Sequence, residues 1–109
     1  MDTAAARSRL EAMLADLDRS IAILRGETPE RDDSRADAGA GLAAHDRVEA
    51  ALASLERHRG GVAAALERIA AGGYGLCVDC GEPVPEGRLE ARPDAARCLP
   101  CQTGHDRRR

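Results

Sequence analysis

Four cysteines carry the most specific chemical signal in this 109-residue chain. Cys77 and Cys80, then Cys98 and Cys101, form two CxxC pairs separated by seventeen residues. Two residues between thiols let one tight turn aim both sulfurs at a single ion, and two such turns complete a tetrahedron of the kind that zinc takes. Four thiolates leave no open position for water or substrate, so the expected metal is one structural zinc and not a catalytic one. Its binding would contribute on the order of 10 kcal/mol to folding. Gly81 follows Cys80 directly and can take the positive φ that turns backbone N–H groups towards the thiolates. Disulfides are the rival use of this pattern, but the spacing fits a metal site better. His105 is a weaker candidate ligand, and His45 and His58 read as surface or seam-edge residues.

The segments around the cysteines must hold them without much core. The chain has no Phe, no Trp and one Tyr, so stability has to come from a thin seam, a metal staple, or both. Pro83, Pro85, Gly87 and Pro93 suit a short irregular module, with Tyr74 as a packing residue where it meets the preceding helix. Upstream, Leu10, Leu14, Leu17, Ile21 and Leu24 recur at 4,3,4,3 spacing, the stripe of an amphipathic helix. Val48, Leu52, Leu55, Val62, Leu66 and Ile69 continue the same rhythm, interrupted where Arg59 stands at a seam position before Gly60 and Gly61. A local irregularity, and not a domain break, is expected there. Each stripe needs a partner and the nearest is the other. The fold class is therefore mainly α: an antiparallel two-helix coiled-coil hairpin, residues 1–71, with a small C-terminal four-cysteine zinc-finger module, residues 72–102, and a basic tail, 103–109, expected to be disordered. Arms of this length give a rod on the order of 40 Å.

Charge is distributed unevenly along that rod. The net formal charge is −3 with all sixteen basic residues Arg, which argues mildly against a nucleic-acid binder. Residues 1–26 and 42–71 each carry four acids and four Arg, and residues 72–109 carry six of each. The whole imbalance lies in residues 27–41, ETPERDDSRADAGAG, five acids against two Arg at the hairpin's expected tip. A merely solvated acidic loop is the plain reading of such a run.

The stretch LERIAAGGYGLCVDCGEPVPEGRLEARPDAARCLPCQ, residues 66–102, resembles the C4 zinc-finger signature of the DksA/TraR family in its GYGLCVDCG run, its RLEARP run and its closing CxxC. The hairpin before it supports the likeness by pattern. The resemblance implies a transcription regulator that binds RNA polymerase directly, inserts its coiled-coil tip into the secondary channel and modulates initiation through acidic residues near the catalytic magnesium. The family's tip pattern is Asp, two residues, Asp, one residue, Ala. Counted back from Cys77 it falls on SRADAG, residues 34–39: Asp37 matches the second Asp, Ser34 replaces the first with Asp33 beside it, and Gly39 replaces Ala. For the alarmone ppGpp, Arg92 matches a basic position of the family's site, whereas Gly61 and Gln102 stand where lysines are found, so weak or absent dependence is expected. The chain also looks shorter than the longer family members at its N-terminus.

Other functions fit less well. A zinc-ribbon nucleic-acid module needs a basic, aromatic-bearing face, and residues 72–102 offer three Arg and one Tyr against five acids. A transcript-cleavage-stimulating factor would use adjacent Asp32 and Asp33, yet the chain offers no nucleophile, oriented base or open metal site, and no enzyme is expected. Neither a membrane helix nor a cleaved signal peptide is evident, so a cytoplasmic protein is expected. A monomer without sequence-specific DNA binding completes the expectation.

Overall fold

The computed structural model describes residues 2–26 and 38–108, with side chains described from residue 43 onward in the second segment. Four helices follow one another: α1 (Thr3–Leu24), α2 (Ala38–Ala71), α3 (Glu86–Ala91) and α4 (Leu99–Arg107). The mainly α class with a C-terminal cysteine cluster is as the sequence implies. The Cα envelope measures 52 × 32 × 21 Å with a radius of gyration of 17.5 Å. A compact chain of this length would have a radius near ~13 Å, so the molecule is elongated.

α1 starts where the Asp2 carboxylate accepts the Ala4 N–H at 3.0 Å, supplying one of the donors that a helix start leaves orphaned. Its buried residues are Ala6, Leu10, Leu17 and Ile21, three of the five stripe positions with an alanine added before them, while Leu14 and Leu24 of the stripe are half-buried. α2 packs along it, and the core of the pair is Leu10, Leu17, Val62 and Ala65, with Met13, Leu14, Leu55, Leu66 and Ile69 partly covered around them. Ala6 and Ala65 are fully buried as well, Ala65 within the core of the helix pair.

α2 runs unbroken through Arg59, Gly60 and Gly61, where a local irregularity is the sequence expectation. The seam position is kept because the Arg59 Nε donates to Asp18 on α1 at 2.5 Å instead of pointing an unpaired charge at the core. α2 ends at Gly72, whose φ of 86° admits the left-handed turn that closes a helix. There the Gly73 N–H donates to the Arg68 carbonyl at 2.9 Å and the Gly72 N–H to the Ile69 carbonyl at 3.2 Å.

Two further expectations change. The tip segment 27–41 is shorter on its second side, since α2 has already begun at Ala38, and the candidate tip residues Asp33, Ser34 and Asp37 lie outside the described residues. The tail is not a separate disordered element over its described part: α4 carries on through His105 to Arg107, and Gln102 Nε2 donates to Asp106 Oδ1 at 2.9 Å one turn along it. Favourable i,i+4 pairing and a proline in the first turn sustain a helix that a run of arginines alone does not announce. Among the described residues, no helix is long and apolar enough to cross a membrane.

Candidate metal centre and its seating on the hairpin

The first knuckle is a short turn. Leu76 and Pro83 face each other in an antiparallel bridge, the Cys77 N–H donates to the Glu82 carbonyl at 2.8 Å, and the Gly81 N–H donates to the Cys77 carbonyl at 2.9 Å. Gly81 has a φ of 79°, the left-handed conformation anticipated beside Cys80, which a side chain would strain. The second knuckle is a helix start. Cys98 is the residue before α4 in extended conformation, Pro100 falls within the first turn, and the Gln102 N–H donates to the Cys98 carbonyl at 2.8 Å. Cys101 thus turns back towards Cys98 within one helical turn.

The two knuckles are brought together by backbone and side-chain bonds. The Val78 N–H donates to the Ala96 carbonyl at 2.9 Å, Arg97 Nε donates to Asp79 Oδ2 at 2.7 Å, and Arg88 Nε on α3 donates to the Arg97 carbonyl at 2.9 Å. All four sulfurs then lie within 4.8 Å of one another, with Cys80 and Cys98 Sγ at 3.8 Å. A tetrahedron with Zn–S bonds of about 2.3 Å has an edge of about 3.8 Å, whereas a disulfide would need about 2.05 Å. The donor set and spacing fit one zinc ion, and the four cysteines are free of disulfides. No histidine belongs to this cluster among the described residues.

The thiols do not ionise alike. Backbone N–H groups, that of Cys80 foremost, stabilise the Cys77 thiolate and lower its pKa to about 6. Cys101 is pushed up to about 12, first by hydrogen bonding of its thiol to the neighbouring Cys98 sulfur and then to that of Cys77, which holds the proton on, with burial and the Cys77 charge adding less. Four thiolates in so small a volume call for a cation, and a bound zinc ion supplies that charge and cross-links the two knuckles.

The module sits on the base of the hairpin through a small apolar layer and one polar strip. Cys77, Val84 and Leu89 form its buried cluster, and Tyr74 packs against both this cluster and the helical seam, the junction role its sequence position implies. The strip is residues 90–94. The Glu90 carbonyl accepts from Arg9 of α1 at 2.8 Å, the Pro93 carbonyl accepts from the Tyr74 hydroxyl at 2.8 Å, and Asp94 faces His58 of α2 at 3.6 Å. Sequence reasoning passed over Asp94 and Arg68. The Asp94 side chain is 9% exposed, and it also meets Arg92 at 3.7 Å. Arg68 has a buried Nη2 without a hydrogen-bond partner, and burial pulls its guanidinium below the ordinary pKa. Neither shows a sequence signal, because both are defined by contacts between segments far apart in the chain.

Arg92 and Gln102 do come together. With Arg88, Asp94, Arg97 and Asp106 they line a surface cavity of about 460 Å³. Gly61 stands at its edge, since a Cβ there would lie 3.8 Å from Asp94 Oδ2.

A helical hairpin whose base carries a four-cysteine zinc finger defines a class of zinc-finger protein with a coiled-coil arm. Residues 72–107 match the model of the prokaryotic dksA/traR C4-type zinc finger. The chain is 31% identical over 104 residues to a Caulobacter vibrioides protein described as the RNA polymerase-binding transcription factor DksA, covering 90% of this chain and 68% of that one. An uncharacterised Aquifex aeolicus protein is 51% identical over 37 residues, 34% of this chain and 26% of its own. Among solved structures, transcription factor DksA2 from Pseudomonas aeruginosa superposes with a TM-score of 0.77 at 28% identity, over 94% of this chain and 81% of that one. The solution structure of the DnaK suppressor protein from Agrobacterium tumefaciens gives a TM-score of 0.68 at 27% identity, over 95% and 94%. The chain belongs to the DksA/TraR family.

Proposed function

We propose that this protein is a transcription regulator that binds RNA polymerase and acts through its coiled-coil arm, inserted into the polymerase secondary channel, to modulate initiation. The observation that carries the reading is the relationship, across most of both chains, to a factor described as RNA polymerase-binding. The shape is consistent with insertion: an elongated molecule 52 Å in its longest extent, with every uncompensated charge of the sequence in the segment that joins the two hairpin helices. Carboxylates are hard oxygen ligands suited to a magnesium-containing centre, and Asp37, with Asp33, takes that role, Ser34 standing between them in sequence as a further tip residue. The hairpin at 1–71 and the finger from 72 onward act as arm and anchor, without catalysis by the protein itself.

The nucleic-acid reading is the weaker one. Tyr74, the sole Phe, Tyr or Trp residue, is half-buried, with its hydroxyl committed to Pro93 and its ring packed against both apolar clusters, the role of a packing residue and not of a stacking platform.

The arginine-lined cavity supports weak ppGpp dependence. Arg92 faces Asp94, Arg97 is bonded to Asp79, Arg88 to a carbonyl, and Gln102 to Asp106. Cations already engaged, beside two carboxylates, hold a polyphosphate poorly. The effect on transcription by the cognate polymerase should be equal with and without ppGpp, and a clear enhancement would contradict this.

The test of the main reading is cross-linking. A photoreactive residue at position 33 should capture the polymerase subunits that line the secondary channel. Capture elsewhere on the enzyme, or none in a complex that forms, would refute insertion.

A further inference from the structure

The hydrophobic repeat of this hairpin does not fix its own register. Both stripes recur with a period of seven, so sliding α1 by one heptad along α2 would again set apolar residues against apolar residues. The connection from Arg25 to Asp37 is thirteen residues long, and a chain of that length can span either arrangement. Polar contacts have to choose: the Arg9–Glu90 bond ties the base of α1 to the zinc module, and further up the hairpin the choice falls to charge.

Two ion pairs cross between the helices beside one shallow groove. Arg59, at a seam position, bonds Asp18, and Arg25, just past the end of α1, bonds Glu56. The groove is lined by these four residues with Ile21 and Gly60, and Gly60 has nothing within 4 Å of where a side chain would begin. Each of the four is roughly half-exposed, so the pairs add little net stability. Their arrangement carries information instead. Glu11, Asp18 and Arg25 lie seven residues apart on α1. A slip of one heptad in one direction sets Arg59 against Arg25. A slip in the other direction sets Glu56 against Asp18. Each slip places like charges together, and only the observed register pairs both sites with opposite charges.

We propose that Asp18, Arg25, Glu56 and Arg59 are positioning residues that select the register of the hairpin, and through it where along α2 the end of α1, and with it the start of the tip segment, is held. The register itself does not depend on polymerase binding. Its bearing on how the tip is presented rests on the function proposed above, and the experiment below uses the protein alone, so the two can fail separately.

The charges make an asymmetric prediction. Asp18→Arg places two arginines together in the native register, whereas after a slip Arg59 meets Glu11 and the new arginine meets Glu56. The slipped state is then favoured at both sites. Adding Arg59→Asp reverses the choice, since it restores an opposite-charge pair in the native register and sets Asp against Glu11 in the slipped one.

Spin labels carried on noncanonical residues at exposed Ala5 and Ala50, which leave the cysteines untouched, read the register in the full zinc-loaded chain. One heptad of slip shortens their separation by about 10 Å. The parent should give one distance, Asp18→Arg a second population about 10 Å shorter, and Asp18→Arg with Arg59→Asp the parental distance again. An unchanged distance in Asp18→Arg would overturn the proposal. So would a double variant that fails to recover the parental distance, or a loss of helical signal in Asp18→Arg that Arg59→Asp does not repair.

Discussion

The Tyr74 hydroxyl donates to the Pro93 carbonyl at 2.8 Å, joining the residue that ends the helical seam to the strip on which the zinc module rests. Tyr74→Phe keeps the ring in both apolar clusters and removes only this bond. A partly buried carbonyl left without its donor costs about 1–2 kcal/mol. Thermal unfolding of the zinc-loaded protein should show a loss of that size with zinc content unchanged.

Zinc binding should be pH-dependent in a way that identifies Cys77. Metal requires thiolates, so affinity rises with pH as protons are displaced. With its thiol lowered to about 6, Cys77 is already ionised at neutral pH and releases no proton there, while below pH 6 it must give one up. Cys101, pushed up to about 12, releases a proton throughout that range. A plot of log affinity against pH should therefore steepen by about one proton below pH 6, as checked by competition with a chromophoric chelator. Replacing Cys98 by Ser should abolish stoichiometric zinc, measured by metal analysis of freshly purified protein.

Gly60 is a helical residue with open space where a Cβ would stand. Gly60→Ala should stabilise the protein by about 1 kcal/mol, which for a chain of this size raises the melting temperature by roughly 4–8 °C. No change, or a loss, would mean that the groove beside Gly60 is filled in solution.

Asp37 precedes the first helical residue of α2, Ala38, in sequence. Asn is the same size as Asp and likewise polar, so Asp37→Asn removes the charge with little other change. Polymerase affinity should be retained and the effect on initiation lost, measured by transcription from a ribosomal-RNA-type promoter with the cognate polymerase. Full regulation by the variant would take Asp37 out of the mechanism.

What the sequence discloses depends on how local the determinant is. The thiol cluster is legible because two residues between cysteines suffice to form each knuckle, and the stripe from Leu10 to Ile21 because burial on a helix repeats with a short period. Ala6 and Ala65 escape notice since alanine serves on any helix face, and only what packs over it in the folded chain makes it core. Arg59 reads as a flaw until Asp18, 41 residues away in the chain, is seen to meet it. The same holds for Asp94, whose partners come from α2 and from Arg92. The end of α4 is hidden for a different reason: three terminal arginines resemble a solvated tail, and the signal that outweighs them is Pro100 in the first turn together with the Gln102–Asp106 pair.

α2 is one continuous strut of 34 residues that ends at the Gly72 turn leading into the zinc module. Such a helix is about 51 Å long, and its end beside the module acts as a fulcrum. A pivot of about 10° at that end swings the opposite extremity by about 9 Å over this span. Small adjustments where the finger grips the hairpin are thereby magnified into displacements larger than a side chain.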